Sequence, residues 1–489
     1  MSEYKHGIAS SRKKTPALNP VSCKSMVQCV VGTAPINTLE NPYGAVNVPL
    51  VITGSDMAKK RLGFTDEIEK YTVMHSIYAS FEKHAVTPIV VINVLDPSNP
   101  RHIEAVAGEE ITVMKGMATV RDTGILLDKV EVTDGSVTYE DGVDYVTSFA
   151  ANGYLLIAVT EDGALSGKDT VQVSYTKINP DGVTGEDIIG GIDKNGIKSG
   201  IELLDEVYPE TGVYPGVVVV PVFSRSPVVA AVLETKVQKM YGMFNGIAFL
   251  DLDATQEGAK NAFMVKETKE KNVPSSRWVV PFWPMVKSDG YILSFSAFAA
   301  ALLQSATAAN KNIPSESIDN LELKIDGVCL ADGSQVVMTQ DDANDYLNRN
   351  GVVGALRLPE WKAWGNNTAA YPESEDPIDR WIKGVTMINY LENKFKSDYL
   401  SGIGRNADFK LVNGIVTEYN MTLNSLTPDY IAGAEIIFDK KENPIENIKE
   451  GHLKFRTRYA DYAPAEYIEN EFSYDISLLE AAFEGGTDE

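Results

Sequence analysis

The sequence predicts a multidomain protein of mixed α/β and α+β class: an α/β body, an all-β domain inserted into that body, and a C-terminal α+β domain. Three observations carry this expectation. Over much of the 489 residues, helical stripes alternate with short, wholly apolar runs, the pattern of strands buried on both faces between helices. From about 101 to 178 the helical stripes give way to short β-rich runs punctuated by Gly, Asp and Asn. After about 372 an amphipathic helix leads into strands with alternating faces. The length accommodates roughly three or four domains. The expected division is an N-terminal arm at 1–30, the first part of the α/β body at 31–100, the β insertion at 101–178, the second part of the body at 179–371, and the C-terminal domain with its terminal strand at 372–489.

The elements follow in order. Val27–Gly32 and Val46–Thr53 read as strands on either side of the turn Asn41-Pro42-Tyr43-Gly44. Asp66–His84 has helical spacing, with Ile68, Tyr71, Met74, Ile77, Tyr78 and Phe81 on one stripe, and Thr87–Leu95 is an apolar strand. Inside the insertion the strand candidates are Glu110–Met114, Lys129–Thr133, Ser136–Tyr139, Tyr154–Val159 and Asp169–Thr176. Asn179–Gly200, rich in Gly and Asp, reads as a linker. Alternation resumes with strand Gly216–Phe223, helix Pro227–Gly242, strands Gly246–Asp251 and Arg277–Pro281, and an Ala-rich helix over Ser294–Asn310. Thr339 caps a helix running to Asn350, Gly351 stops it, and Val352–Leu358 is a strand.

In the last domain a helix is expected from Ile378 to Phe395, with a tube-facing surface or a core position as the two readings of its apolar side. Two strands follow. Leu453–Tyr459 places Lys454, Arg456 and Arg458 on one face, and Ile468–Ile476 places Glu469, Glu471 and Asp475 on one face. Paired antiparallel, they would make cross-strand ion pairs worth roughly 0.2–1 kcal/mol each.

Composition narrows the function. The net charge of −24 repels phosphate, so no nucleic acid partner is expected. No apolar run reaches membrane-spanning length, and the polar, basic start lacks the pattern of a secretory signal. Cys23, Cys29 and Cys329 make neither a disulfide framework nor a CxxC pair, which suits synthesis in a reducing cytoplasm. The charge is uneven. Residues 1–24 carry Lys5, Arg12, Lys13, Lys14 and Lys24 against Glu3, whereas 466–489 carry eight acids and no Lys or Arg.

Catalytic signals are sparse. No phosphate loop, HExxH or GxSxG is present, and the five histidines show no ligand spacing, so neither metal nor cofactor is expected. The strongest enzymatic candidate is Asp251-Leu252-Asp253-Ala254-Thr255 at the carboxyl end of a strand, where α/β proteins bind ligands. It resembles the DxDx[TV] motif of haloacid-dehalogenase-type phosphotransferases, with Asp251 as nucleophile, Asp253 as proton shuttle, and Asp341 and Asp342 as candidate metal-binding acids. Against that reading, half the chain precedes the motif, and acids at a helix start serve the dipole.

A second resemblance covers most of the chain. Pro49-Leu50-Val51-Ile52-Thr53-Gly54-Ser55, Val91-Ile92-Asn93-Val94-Leu95-Asp96-Pro97, Ile201–Pro209, Pro215-Gly216 and Phe223-Ser224-Arg225-Ser226-Pro227 occur in the order found in one family. Ala248-Phe249-Leu250-Asp251, Trp364-Gly365-Asn366-Asn367-Thr368, Gly451–Arg456 and Pro464–Ile468 continue the series. The set resembles the tail sheath proteins of contractile phages and related R-type bacteriocins. That resemblance implies a non-enzymatic subunit that polymerises helically around a tail tube, with baseplate and tail terminator proteins as further partners. It also implies an outward β insertion, a C-terminal region facing the tube, and terminal strands exchanged between neighbours. The implied location is a virion tail or phage-tail-like particle assembled from subunits made in the bacterial host. For the exchange, charge nominates Lys5, Arg12, Lys13, Lys14, Lys454, Arg456 and Arg458 on the basic side and Glu469, Glu471 and Asp475 on the acidic side.

Overall fold

The structure is a computed structural model and describes residues 21–484. Its centre is a six-stranded sheet built from β1 (Gln28–Gly32), β2 (Leu50–Ile52) and β3 (Ile89–Asn93) before the insertion. The insertion contributes β4 (Ile103–Met114), β5 (Met117–Val120), β6 (Glu131–Thr133), β7 (Thr138–Tyr139), β8 (Tyr145–Phe149), β9 (Leu155–Val159) and β10 (Thr170–Ile178) to a separate sheet. The central sheet is completed by β11 (Val217–Val219), β12 (Ile247–Asp251) and β13 (Val279–Phe282). Its order is β13-β12-β11-β1-β3-β2, parallel throughout except for β2, which runs antiparallel at the edge. β1, β3 and β12 are buried at every position. That explains why their sequences are mostly apolar with no alternation, the polar Gln28, Asn93 and Asp251 standing at strand ends.

Helices cover the sheet. α1 (Pro227–Val237) follows β11, and α2 (Phe295–Ala309) follows β13. Ala297, Ala299, Ala300 and Ala301 on α2 are fully buried, and such small side chains let a helix approach a sheet closely. Gln304, also fully buried, binds both ways: its amide donates to the Pro88 carbonyl at 2.6 Å and its oxygen accepts from the Gln28 N–H at 3.3 Å. These bonds fix the register of α2 over β1.

The insertion forms a seven-stranded antiparallel sheet, β8-β9-β5-β4-β10-β6-β7, around its own core of Val120, Val132, Leu155, Ile157 and Val173. Its two ends meet where Asn179 N–H donates to the His102 carbonyl at 2.7 Å, so the excursion leaves the body fold continuous.

Several elements depart from the sequence expectation. The Val46–Thr53 strand pairs only over Leu50–Ile52, since Pro49 has no N–H to give the ladder. The Asp66–His84 helix is broken into Ile68–Lys70, Thr72–Ile77 and Tyr78–Lys83. Thr33 and Thr72 exchange backbone-to-hydroxyl bonds of 3.0 Å, which restart the helix at Thr72. The Ile378–Phe395 helix is interrupted at Trp381, because Thr368 N–H bonds the Arg380 carbonyl at 2.7 Å and Ile382 N–H bonds the Asn366 carbonyl at 2.9 Å. It resumes as α3 (Ile382–Tyr399).

The C-terminal part packs α3 against α4 (Phe409–Leu426) and the two-stranded sheet of β14 (Gly433–Ile437) and β15 (Arg456–Ala460). Met387, Leu391, Ile415, Tyr419, Leu423 and Ile436 form its core. α3 therefore occupies a core position, with half of its residues buried. A short helix, α5 (Ile476–Glu484), ends the described chain.

Candidate assembly interface

The acids at the end of β12 are structural. Asp251 is buried, and both of its carboxylate oxygens are engaged by Ser296, from the N–H at 2.9 Å and from the hydroxyl at 2.8 Å. Its own N–H donates to the Ser224 hydroxyl at 3.0 Å. Ser296 lies in the first turn of α2, so Asp251 is a buried anchor at a helix N-terminus, where a negative charge is favoured. Asp253 accepts from Thr255 N–H at 3.0 Å and shapes the following turn. Asp342 accepts from Thr339 N–H at 2.9 Å while the Thr339 hydroxyl accepts from Asp342 N–H at 3.1 Å, a reciprocal helix cap. The phosphotransferase reading of Asp251, Asp253, Asp341 and Asp342 is thus corrected: the proposed nucleophile has no free oxygen to offer a substrate. Among the described residues no group of His, Cys, Asp and Glu is arranged to hold a metal ion, and no helix is long and apolar enough to cross a membrane.

The strand pair expected between Leu453–Tyr459 and Ile468–Ile476 does not form within the chain. β15 pairs with β14 instead, in the register Glu435 opposite Arg458 and Ile437 opposite Arg456. Phe455, Thr457 and Tyr459 share one face over α3 and α4, whereas Lys454, Arg456 and Arg458 point the other way. The basic residues find acids on β14 and the loop after it: Arg458 bonds Glu435, Arg456 bonds Glu442, and Lys454 lies 3.1 Å from Glu442.

The two-stranded sheet is blocked on one edge and open on the other. Asn420 of α4 donates to the Ile436 carbonyl and accepts from the Ile436 N–H, both at 3.0 Å. That side chain satisfies the outer edge of β14 and marks Ile436–Thr457 as a pair that does not hydrogen-bond across the ladder. Antiparallel pairs alternate, so the N–H and C=O groups of Thr457 and Tyr459 point to the far side of β15. No strand covers that side among the described residues. Sequence reasoning missed Asn420; the signal is a polar amide beside the buried stripe of a helix.

Residues 461–475 form no strand. Lys383 reaches Asp461 at 3.8 Å, and burial lifts the Asp461 carboxyl above the usual range. The chain then crosses the body beside Asp319, Tyr371 and Arg380 as far as Tyr467. Beyond that point Ile468 is 86% exposed and Phe472 is 90% exposed. Glu469 and Glu471 lie exposed on this stretch, and Asp475 is a helix cap, accepting from Ser477 N–H at 2.9 Å. Lys5, Arg12, Lys13 and Lys14 lie outside the described residues.

The fold is similar to that of chains from contractile injection particles. It superposes on a chain of the anti-feeding prophage baseplate with a TM-score of 0.59 at 14% identity, covering 97% of this chain and 100% of the other. It also matches the sheath of an extracellular contractile injection system in the contracted state, with a TM-score of 0.57 at 12% identity over 98% of this chain and 100% of that one. In sequence it is 26% identical over 488 residues to the tail sheath protein of Burkholderia phage BcepMu, spanning 96% of each chain. Over nearly its whole length the chain is thus similar to a phage tail sheath protein in sequence and to contractile sheath chains in fold. No family model matches it.

Proposed function

We propose that copies of this chain polymerise helically around a tail tube and contract to drive the tube through a cell envelope. The observation that carries the reading is the coexistence, in one chain, of an open strand edge at Thr457 and Tyr459 and an extended segment, 461–475, that joins no sheet among the described residues and exposes Ile468, Phe472 and Tyr474. An extended segment added to a sheet edge gains main-chain hydrogen bonds and removes a sticky edge. A head-to-tail contact of this kind that does not close yields a helical array. The segment of one copy fills the edge of the next, and the basic N-terminal arm, with Lys5, Arg12, Lys13 and Lys14, lies against Glu469 and Glu471 of a neighbour.

Contraction then proceeds as rigid-body movement of the packed bodies on these tethers, released from a kinetically trapped extended state. Baseplate and terminator proteins bound the polymer at its ends. No nucleotide is required, since packing free energy summed over many copies does the work.

Negative-stain microscopy of the purified chain tests this. The full chain should form tubular polymers, and a chain ending at Ala465 should remain monomeric with a melting temperature within about 3 °C of the full chain. Polymers of normal length from the shortened chain would contradict the tether.

A further inference from the structure

α5 is a formed amphipathic helix with nothing over its apolar side among the described residues. Ile476, Leu479 and Phe483 fall on one stripe, and Phe483 is 74% exposed. The helix hangs at the end of fifteen residues, 461–475, which span up to roughly 50 Å when extended.

A groove of matching chemistry opens where α3 ends and α4 begins. Phe395, Tyr399 and Leu411 line it from the helices, Leu453 and Phe455 from the approach to β15, and its volume is about 440 Å³. Ile403 stands at its rim, 83% exposed. The charged side chains in the lining are Lys396 and Arg405, and no carboxylate contributes. From 461 to the end the chain contains no Lys or Arg. Charge and apolarity therefore match between groove and arm.

Connectivity adds direction. A segment lying antiparallel to β15 runs from the Ala460 end towards Arg456, and the groove walls Leu453 and Phe455 lie just beyond that end. The residues following such a segment arrive at the groove.

We propose that α5 of one copy seats Ile476, Leu479 and Phe483 in this groove of a second copy, with Glu480 and the other arm carboxylates facing Lys396 and Arg405. The inference rests on the strand-exchange reading above and adds a lock at the end of each exchanged arm. The edge strand alone would let an arm slide along its partner; a seated helix fixes its position.

Paired cysteines test it in the full chain. The native cysteines are all buried, and Ile403 and Leu479 both lie at accessible positions. The double variant Ile403→Cys/Leu479→Cys, oxidised after assembly, should give a ladder of disulfide-linked multimers that is absent from either single variant and from dilute monomer. Polymers that form without a ladder, or that give only an internally linked single chain, overturn the helix lock while leaving strand exchange standing. Failure of the unsubstituted chain to polymerise at all overturns both. As an independent readout, Phe483→Glu should raise the critical concentration for assembly roughly tenfold or more, the worth of one large apolar side chain left unburied. An unchanged critical concentration contradicts the inference.

Discussion

The central sheet and the C-terminal module solve the same problem in opposite ways. In the central sheet, β1, β3 and β12 are buried at every position, and the polar atoms of Gln304 and Asp251 that enter the core are matched by partners of the same chain. In the C-terminal module the β14 edge is closed by Asn420, the β15 edge is bare among the described residues, and the segment beyond it exposes Ile468, Phe472 and Tyr474. A large exposed apolar surface on a folded chain marks an interaction site. On the proposed reading the body is complete as a monomer, and the module is completed by another copy. Stability and assembly should therefore separate by region.

The sharpest way to break this comparison is Thr457→Pro. An outward-facing N–H on an edge strand is the place where proline is tolerated, so folding should persist with an unchanged circular dichroism spectrum while sedimentation shows no polymer. Assembly at wild-type concentration would mean that this edge is not used. In the body the consequences reverse. Asp251→Ala leaves Ser296 and the start of α2 unpaired in the core, at a cost of about 3 kcal/mol, read by chemical denaturation. Asp251→Asn should cost less, and neither variant has a turnover to lose.

Asn420→Ala lies between the two regions. It removes two partly buried bonds to Ile436 and should cost about 2 kcal/mol in denaturation, together with a second exposed edge that broadens polymer morphology in micrographs.

A further effect concerns pH. Burial holds His75 and His84 down to about 4, whereas in the unfolded chain they protonate near 6.5. Between those values the unfolded state binds more protons. The contribution to stability is complete above about pH 6.5 and is lost as pH falls towards 4. His84→Gln should shrink the drop in melting temperature between pH 7 and 4.5.

The sequence reveals most where the chain is self-sufficient. Thr87–Leu95 and Gly246–Asp251 declare buried strands because both faces meet the same molecule. Thr339 and Gly351 bracket their helix as capping chemistry requires. The interface is harder to see. The alternation over Ile468–Ile476 promises a strand, yet no partner for it lies among the described residues, and the run stays extended before turning into a helix capped by Asp475. The basic face of Leu453–Tyr459 has its acids on β14, a strand whose short sequence Gly-Ala-Glu-Ile-Ile gives little warning. The interruption at Trp381 is set by backbone pairing with Asn366 and Thr368, distant in sequence and invisible to periodicity.

The central claim is that another copy covers the outer edge of β15. Hydrogen exchange at the Thr457 and Tyr459 amides measures it directly. In dilute monomer both should exchange rapidly, and in the assembled tube both should slow by at least roughly a hundredfold as they enter a ladder. Equal exchange in monomer and tube at these two amides, with protection gained elsewhere, would contradict the account.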